Sequence, residues 1–343
     1  MVNNMKKILI DCRYLGMSGI GRFLEGILEN LNFKENKYTL IGKKEKIKKY
    51  KNCDYIYNET SPFSIKGIIK FKINKIKDYD IFFTPNFIIP YGIKIKTISV
   101  LHDIIFLDMP EVNSSFFEKI LKKHLLKRCI KKSKTVFTVS KFSKNRICHY
   151  FKKAASKIVY SYQGVANSFK EYNEKFEKKN YILYVGNIKK HKGLKILLKA
   201  YEKIKDKIDF YIVGDSSGFK NGDKESIDLI EKLSVNFTGK LNDDKLLNMI
   251  SEAKFLIQPS MYEGFGLPPL EAIYLGTKPI ISDIDVFKEV YSDLPVVFFE
   301  SENSNDLADK ILNSDSNVIV DKELLNEKFS YKNYAIEIEK RFK

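Results

Sequence analysis

Apolar positions along the chain fall into short continuous runs, and each run is followed by a segment with helical spacing. The first runs are KKILID (6–11), YDIFFTPN (79–86) and TISVLHD (97–103). Continuous apolar runs of this length are typical of strands buried on both faces of a parallel sheet. A glycine-rich segment, GMSGIGRF (16–23), predicts a turn, and FLEGILENL (23–31) predicts a helix after it. The pattern therefore predicts strand, turn and helix units from the start of the chain.

A second series of runs follows a break at SYQGVANSFK (161–170), which we interpret as a linker. Before the break, 114–133 predicts a long basic helix, and 135–151 predicts a strand, a serine N-cap and a helix. After it, YILYVGN (181–187) predicts the first strand of the new series. The further elements are predicted as helices over 193–204, 224–233 and 243–253 and as strands over 209–215, 235–239, 254–260 and 278–283.

Two series of alternating strands and helices predict an α/β protein with two doubly wound, Rossmann-like domains. The length agrees, because 343 residues exceed what one ordinary core holds. We place the first domain at residues 1–165 and the second at 170–325. Ligands of such sheets bind outside the carboxyl ends of the strands, so we expect the two domains to face each other across a cleft that holds the site.

The net charge of +17 is concentrated in the first half of the chain. Residues 1–168 hold 33 Lys and Arg against 13 Asp and Glu, whereas the remainder holds 27 against 30. A basic half favours an anionic partner, such as nucleic acid, acidic lipid or a phosphorylated substrate. Lysines alternate with apolar residues in segments 42–51, 64–77 and 114–133, which is typical either of a membrane-binding surface or of core helices with solvated lysines.

Other features of the composition point to a cytoplasmic protein. No apolar run approaches the roughly 20 residues of a membrane span. Residues 1–11 turn acidic too soon for a signal peptide and are better explained as a strand. The four cysteines are scattered without zinc-ligand or redox spacing, as expected of reduced thiols.

The stretch YEGFGLPPLEA (262–272) carries the most informative chemistry. It follows a predicted buried strand, and its glycines allow a tight turn and the close approach of a ligand. Pro268 or Pro269 suits the first turn of a helix, whose N-terminus attracts phosphate. We expect Glu271 in that first turn, holding a ribose diol, and Glu263 on the other side of the phosphates, holding sugar hydroxyls. The alternative is an ordinary strand-to-helix turn with a capping glutamate.

This stretch resembles the Glu-x7-Glu signature of family 4 glycosyltransferases, which have the GT-B fold. The resemblance extends in order over nearly the whole chain, through DCRYLGMSGIGRF (11–23), VLHDIIF (100–106), VSKFSKNRI (139–147), YVGNIKKHKGLKILLKAY (184–201) and FSYKNY (329–334). It implies that the terminal helix, within 326–343, returns to pack on the first domain. Within the family, the chain is most similar to mannosyl- and rhamnosyl-type transferases of bacterial polysaccharide assembly.

The resemblance implies a role for each matching residue. Lys192 would bind the donor diphosphate, and His102 would contact the transferred sugar. The residues implied in donor binding are Gly19, Lys192, Gly264, Phe265, Gly266, Leu267 and Glu271, and those implied in catalysis are His102 and Glu263. Many members carry an arginine where this chain has Asn187, so one phosphate contact is in question, with Lys189 or Lys190 as substitutes. The remaining histidines, His124, His149 and His191, are predicted to be surface residues.

We expect neither a cofactor nor a metal. The loop with Gly16, Gly19 and Gly21 lacks the Gly-x-Gly-x-x-Gly spacing and the acidic ribose ligand of nicotinamide-binding proteins. The Asp-x-Asp pairs at 78–80 and 283–285 have the spacing of a metal motif, but each lacks the rest of a metal site. We interpret both pairs as structural, and the resembled family needs no metal.

The resulting expectation is a retaining hexosyltransferase with a nucleoside diphosphate sugar as donor, and GDP-mannose is favoured. The acceptor would be a glycan or lipid-linked glycan, with an anionic inner-membrane surface as a further partner and nucleic acid not expected. Three alternatives stay open. They are a sugar-nucleotide epimerase of the same architecture, a glycoside hydrolase that uses Glu263 and Glu271, and a nucleic-acid-binding protein, for which the sequence shows no aromatic stacking motif.

Overall fold

A computed structural model describes residues 5–112, 115–174, 176–214 and 224–343. The chain divides into two compact units. Unit 1 comprises Met1–Gly164 with Phe329–Lys343, and unit 2 comprises Val165–Lys328. Each unit contains a parallel sheet whose faces are covered by helices, so the α/β architecture predicted from the apolar runs is confirmed.

The sheet of unit 1 has, within the described residues, seven parallel strands in the order β3-β2-β1-β4-β5-β6-β7. They are β1 Lys7–Asp11, β2 Lys37–Gly42, β3 Asp54–Tyr57, β4 Ile81–Thr84, β5 Lys96–Val100, β6 Ser133–Thr138 and β7 Ile158–Tyr160. The strand order reverses between β1 and β4. The central strands are buried on both faces, as the continuous apolar runs predict.

Serine caps three of the unit 1 helices that precede the second unit. They are α1 Ser18–Leu28, α2 Lys44–Ile47, α3 Ile65–Ile68, α4 Ile105–Asp108, α5 Phe116–Lys132 and α6 Lys141–Tyr150, with 3-10 turns at Cys12–Tyr14, Ile76–Asp78, Pro110–Val112 and Lys152–Lys157. The predicted cap of α6 is confirmed, because the Ser140 hydroxyl accepts from the Ser143 N–H at 3.0 Å. Helix α1 begins five residues before the predicted start at 23, so most of the predicted turn at 16–23 is helix.

The sheet of unit 2 has, in the described part of the chain, six parallel strands in the order β10-β9-β8-β11-β12-β13. They are β8 Lys179–Val185, β9 Asp209–Val213, β10 Asn236–Gly239, β11 Ala253–Gln258, β12 Lys278–Ser282 and β13 Val297–Phe299. Strands β8, β9 and β10 follow one another toward one edge of the sheet. Strands β11, β12 and β13 follow one another toward the other edge. The order therefore reverses between β8 and β11, which are hydrogen-bonded neighbours.

The helices of unit 2 surround this sheet. They are α7 Asn167–Glu171, α8 Leu194–Glu202, α9 Lys224–Lys232, α10 Asp243–Glu252, α11 Leu267–Tyr274, α12 Asp285–Tyr291, α13 Ser304–Asn313 and α14 Lys322–Lys328, with a 3-10 turn at Lys190–Lys192. Helix α7 occupies part of the segment interpreted as a linker. None of the helices in the described ranges combines the length and the apolar character needed to cross a bilayer.

The last helix, α15 (Tyr331–Glu339), belongs to unit 1 and packs on α1. Its Tyr334 is fully buried and donates through its hydroxyl to the Thr138 carbonyl at 3.2 Å. A methyl group added at Gly26 of α1 would lie 2.3 Å from the Tyr331 ring. Glycine at that position therefore allows α15 to lie close against α1.

Candidate functional site

The site in unit 2 is built where the strand order reverses. Lys192 lies in the connection after β8, and Glu263 lies in the connection after the neighbouring strand β11. Connections that leave adjacent strands at a reversal point diverge to opposite faces of the sheet, which opens a crevice at the carboxyl ends. The topology of the sheet therefore brings together two residues that are 71 positions apart in sequence.

Three side chains converge on the Glu263 carboxylate. The Lys192 ammonium donates to Oε1 at 2.7 Å and to Oε2 at 2.8 Å. The Ser260 hydroxyl donates to Oε1 at 2.8 Å, and the Gln258 amide donates to the same oxygen at 3.1 Å. The Lys192 side chain is 25% exposed and that of Glu263 is 9% exposed, so this pair is poorly screened by solvent. The result is a fixed, largely desolvated pair of opposite charges in the crevice.

Gly193 brings the two connections into contact. Its φ of +68° lies in the left-handed region, and a methyl group added there would lie 1.8 Å from the Pro259 carbonyl oxygen. The Met261 N–H donates to the His191 carbonyl at 2.8 Å across the same junction. The positions of Lys192 and Glu263 thus depend on backbone contact between the connections as well as on their own side chains.

The turn between β11 and α11 also depends on glycine. Gly266 caps α11 with a φ of +86°, and an added methyl group would lie 2.5 Å from the Phe287 ring. Its carbonyl accepts a hydrogen bond from the Tyr291 hydroxyl. The prolines fall in the first turn of α11, as predicted from the sequence, and Phe265 is buried beneath the turn. Gly264 is likewise buried, whereas Leu267 is half-buried.

Glu271 is not in the first turn of its helix, and the sequence-based prediction was wrong on this point. Helix α11 begins at Leu267, so Glu271 is its fifth residue and lies in the second turn, 4% exposed. Burial and the charges of Glu263 and Glu271 raise the pKa of the Tyr291 phenol well above its ordinary value. Both glutamates therefore lie within electrostatic range of one buried tyrosine at the base of the turn.

The residues that hold Glu263 in place were not predicted from the sequence. Gln258 and Ser260 are almost completely buried, and the Gln258 amide also donates to the Ser260 hydroxyl at 2.8 Å. A signal was present, because two polar residues flank Pro259 where an otherwise apolar strand ends at its carboxyl edge. Tyr291 gave no such signal, since a tyrosine in an apolar helix is typical of core packing.

His191 is half-buried beside Lys192 and is not the surface residue that the sequence predicts. Burial and the charge of Lys192 lower its pKa to about 4. His124 and His149 are exposed, as predicted. Asn187 has an exposed side chain, and its carbonyl accepts from the Tyr184 hydroxyl at 3.0 Å.

Unit 1 places His102 just after β5, near the reversal point of its own sheet. Its Nε2 lies 3.0 Å from the Pro85 carbonyl, which can only accept, so this nitrogen carries the proton. The ring packs edge-on against Phe23, with 4.9 Å between ring centroids. Burial lowers the pKa of His102 to about 4, so the imidazole is neutral at physiological pH.

We expect His102 to make the protein sensitive to acid. Unfolding restores its ordinary pKa of about 6.5, so the unfolded chain binds the proton first as the pH falls. The free energy of unfolding should therefore decrease between pH 6.5 and about 4. Between pH 7.5 and 4.5 the change attributable to this residue should be about 2–3 kcal/mol. Urea unfolding of wild type and His102→Gln at pH 7.5 and 4.5 measures it, and equal pH dependence in the two proteins would contradict the assignment.

Gly19 is the second residue of α1 and does not form a tight turn. It is exposed, and a methyl group added there would meet no atom within 4 Å. The positions in this segment that require glycine are Gly16 and Gly21. Gly16 has a φ of +82°, and a methyl group at Gly21 would lie 2.9 Å from the Tyr14 carbonyl oxygen.

Comparison with known proteins agrees with this architecture. Residues 165–332 match the family model described as glycosyl transferases group 1. The chain is 34% identical over 199 residues to O-antigen chain mannosyltransferase RfbU of Salmonella typhimurium, which covers 58% of this chain and 55% of that protein. It is 26% identical over 238 residues to O-antigen chain mannosyltransferase B of Escherichia coli, covering 64% and 61%.

The similarity to solved structures extends over both units. HepE of Anabaena, crystallised with UDP and glucose, matches with a TM-score of 0.72 over 98% of this chain and 99% of that chain, at 16% identity. Likeness at this identity shows the fold, which is the GT-B fold of two Rossmann-like domains. Residues 165–332 therefore carry a glycosyl transferases group 1 domain. Its alignments span 55% and 61% of the length of the two mannosyltransferases.

Proposed function

We propose that the protein is a retaining glycosyltransferase that moves mannose from GDP-mannose to a hydroxyl of a glycan or lipid-linked glycan in cell-surface polysaccharide assembly. The observation that carries the proposal is the Lys192–Glu263 pair at the reversal point of the unit 2 sheet. The curated relatives RfbU and mannosyltransferase B, whose names describe O-antigen mannosyltransferases, support the choice of sugar and pathway class.

Lys192 is proposed to bind the donor diphosphate. A poorly screened ammonium interacts strongly with phosphate, and it stabilises the negative charge that grows on the diphosphate as the sugar leaves. The turn Gly264–Leu267 and the N-terminus of α11 are proposed to complete the phosphate contacts. His191 is neutral and adds no charge, so Lys192 with Lys189 or Lys190 would have to compensate for the missing arginine at Asn187.

The two glutamates are proposed to hold hydroxyl groups at the two ends of the donor. Glu263 would bind hydroxyls of the transferred sugar, and Glu271 would bind the ribose diol. The Glu263 carboxylate is hydrogen-bonded to Lys192, Ser260 and Gln258, which fixes its orientation. Groups fixed in this way need no reorganisation when charge develops in the transition state.

His102 and Gly19 belong to unit 1, and their roles remain predictions from family resemblance. The neutral His102 is proposed to contact the transferred sugar through hydrogen bonding. At Gly19 an added methyl group meets nothing, so Gly19→Ala tests contact with the donor without disturbing the fold.

The proposal is tested by thermal unfolding in the presence of GDP, UDP, ADP, GDP-mannose, UDP-glucose and NAD. A ligand at about 100 times its dissociation constant adds about 2.7 kcal/mol, which corresponds to a rise in Tm of about 5–10 °C for a unit of this size. We expect GDP and GDP-mannose to give this rise, with and without EDTA. Glu271→Ala should abolish it, whereas Glu252→Gln at the opposite end of the sheet should retain it.

The other outcomes have defined meanings. A rise with UDP or ADP alone would replace the proposed donor base, and a rise that disappears with EDTA would contradict metal-independent binding. Conversion of GDP-mannose into another sugar nucleotide in the absence of an acceptor would indicate an epimerase. Retention is tested separately, by determining the anomeric configuration of the product by NMR.

A further inference from the structure

The N-terminal half of helix α5 presents large apolar side chains to solvent. Phe116 is 72% exposed, Phe117 82%, Ile120 49% and Leu121 54%. Their spacing of one and four residues places all four on one helical face. Single exposed apolar residues are common on soluble proteins, but four neighbours on one face form a patch that normally has a partner.

This patch is held rigidly, because the C-terminal half of the same helix is anchored in the core. Leu126, Cys129 and Ile130 are buried in the same core cluster as strand residues of unit 1, and Leu125 is buried in a smaller cluster. The Ser115 hydroxyl accepts from the Glu118 N–H at 3.1 Å and caps the helix start. The exposed face therefore belongs to an ordered helix.

Helix α3 extends the patch. Ile65 is 73% exposed and Ile69 is 59% exposed, while Ile68 between them is buried in a small cluster with Ile88 and Leu125 of α5. This cluster connects α3 to α5. The exposed side chains of α3 and of α5 therefore belong to one region of unit 1, which we call the α3–α5 surface.

Tyr91 and Arg13 hold the two helices of this surface in place. The Tyr91 N–H donates to the Ile68 carbonyl at 2.8 Å, and its hydroxyl lies 2.7 Å from His124 Nε2 on α5. The buried Arg13 guanidinium pairs with Asp11, donates to the Gly67 carbonyl at 3.3 Å and stacks 4.0 Å from the Phe71 ring centroid. Both helices of the α3–α5 surface are thus held in place by contacts within unit 1.

The charge around this surface is positive. Residues 61–77 contain five lysines and no acidic residue, and residues 115–132 contain seven Lys and Arg against one glutamate. That glutamate, Glu118, pairs with Lys122. Lys66, Lys70, Lys123 and Lys127 are exposed. An occupant must therefore be anionic at its surface and must also bury aromatic and aliphatic side chains.

We infer that the α3–α5 surface docks unit 1 on an anionic lipid bilayer. A bilayer offers both requirements, since phosphate headgroups attract lysine and the acyl boundary accepts Phe, Ile and Leu to a depth of about 5–10 Å. Nucleic acid offers the phosphates but no apolar layer for exposed isoleucine and leucine side chains. This inference does not depend on the proposed transferase activity, because lipid binding and donor binding are measured separately.

The chain contains no tryptophan, which allows a single fluorescent reporter to be introduced. Phe117→Trp is compared with Ile319→Trp, because Ile319 is 92% exposed on unit 2. Vesicles of phosphatidylglycerol and phosphatidylcholine are added at low salt. We expect a blue shift of emission for Phe117→Trp only, abolished by high salt and absent with pure phosphatidylcholine. No shift, or the same shift at both positions, would overturn the inference.

Sedimentation with the same vesicles measures the contribution of each group. Two double variants should each bind the vesicles at least tenfold more weakly than wild type. One combines Phe116→Ser with Phe117→Ser, and the other combines Lys123→Gln with Lys127→Gln. The matched controls should bind the vesicles as wild type does. The control for the apolar side chains is Ile319→Ser, and the control for the charges is the double variant Lys240→Gln with Lys245→Gln. Each variant is also assayed for GDP binding, which should be unchanged. Lysine-dependent binding to an RNA oligonucleotide without vesicle binding would assign the surface to nucleic acid and overturn the inference.

Discussion

Replacing Glu263 with glutamine is expected to lower sugar transfer by at least about a hundredfold while the protein remains folded. The amide keeps the size of the side chain and one acceptor oxygen for Ser260 and Gln258, but it removes the negative charge. Loss of one preorganised group in a water-poor site typically costs a factor of about 10²–10³ in kcat. If Glu263 acts mainly in the transition state, kcat should fall while KM changes little.

The same variant separates catalysis from stability. Glutamine leaves the Lys192 ammonium without its partner, and breaking a largely buried pair destabilises a protein by up to about 3–5 kcal/mol. At 25% exposure Lys192 is partly solvated, so we expect a smaller cost of about 1–2 kcal/mol and a fall in Tm of about 2–8 °C. A fall of this size still leaves a folded enzyme to assay.

Glu252→Gln is the matched control for this experiment. Glu252 pairs with Lys179 at 2.7 Å, and this pair lies at the amino ends of β8 and β11, whereas Lys192–Glu263 lies at their carboxyl ends. The control therefore removes a lysine–glutamate pair from the same two strands at the end opposite the candidate site. Transfer within about threefold of wild type is expected for Glu252→Gln. Near-normal transfer by Glu263→Gln would refute its proposed role.

The sequence predicted the buried strands better than the edge strands. Strands β1, β4, β5 and β8 are continuous apolar runs because both of their faces are covered. The edge strand β3 (Asp54–Tyr57) has only four residues, of which the two at its ends are exposed and the two between them are half-buried, so its pattern resembles a loop. Three other strands were not predicted, namely the buried strand β2 and the short strands β7 and β13, because neighbouring charged or turn residues shorten the visible apolar run.

The sequence predicted which residues form the candidate site but not how they contact one another. Glu263 and Lys192 were each identified from a local stretch and its family resemblance. Their pairing depends on β8 lying beside β11, which is a long-range choice that local periodicity does not contain. The contacts that fix the pair were missed for the same reason, because Gln258 and Gly193 act on partners distant in sequence. Helix α11 begins at Leu267, directly after Gly266, so Glu271 lies in the second turn and not in the predicted first turn.

Gly193→Ala should disturb both the stability of unit 2 and the geometry of the candidate site. Alanine in the left-handed region costs about 1–2 kcal/mol on its own. In addition, the new methyl group would lie 1.8 Å from the Pro259 carbonyl oxygen, so the two connections must move apart. Since Lys192 precedes this residue and Glu263 follows Pro259 by four positions, their separation should change. A displacement of about 1 Å in a catalytic site can cost about a hundredfold in rate.

Gly276→Ala is the control that isolates backbone strain from the clash. Gly276 follows α11 with a φ of +71°, close to that of Gly193, but an added methyl group meets no atom within 4 Å. We expect Gly276→Ala to lower Tm by about 2–8 °C and to leave transfer and GDP binding near wild type. Gly193→Ala should lower Tm at least twice as far and weaken GDP binding at least tenfold. Equal effects of the two substitutions would show that contact between the connections does not position the pair, because only Gly193 makes that contact.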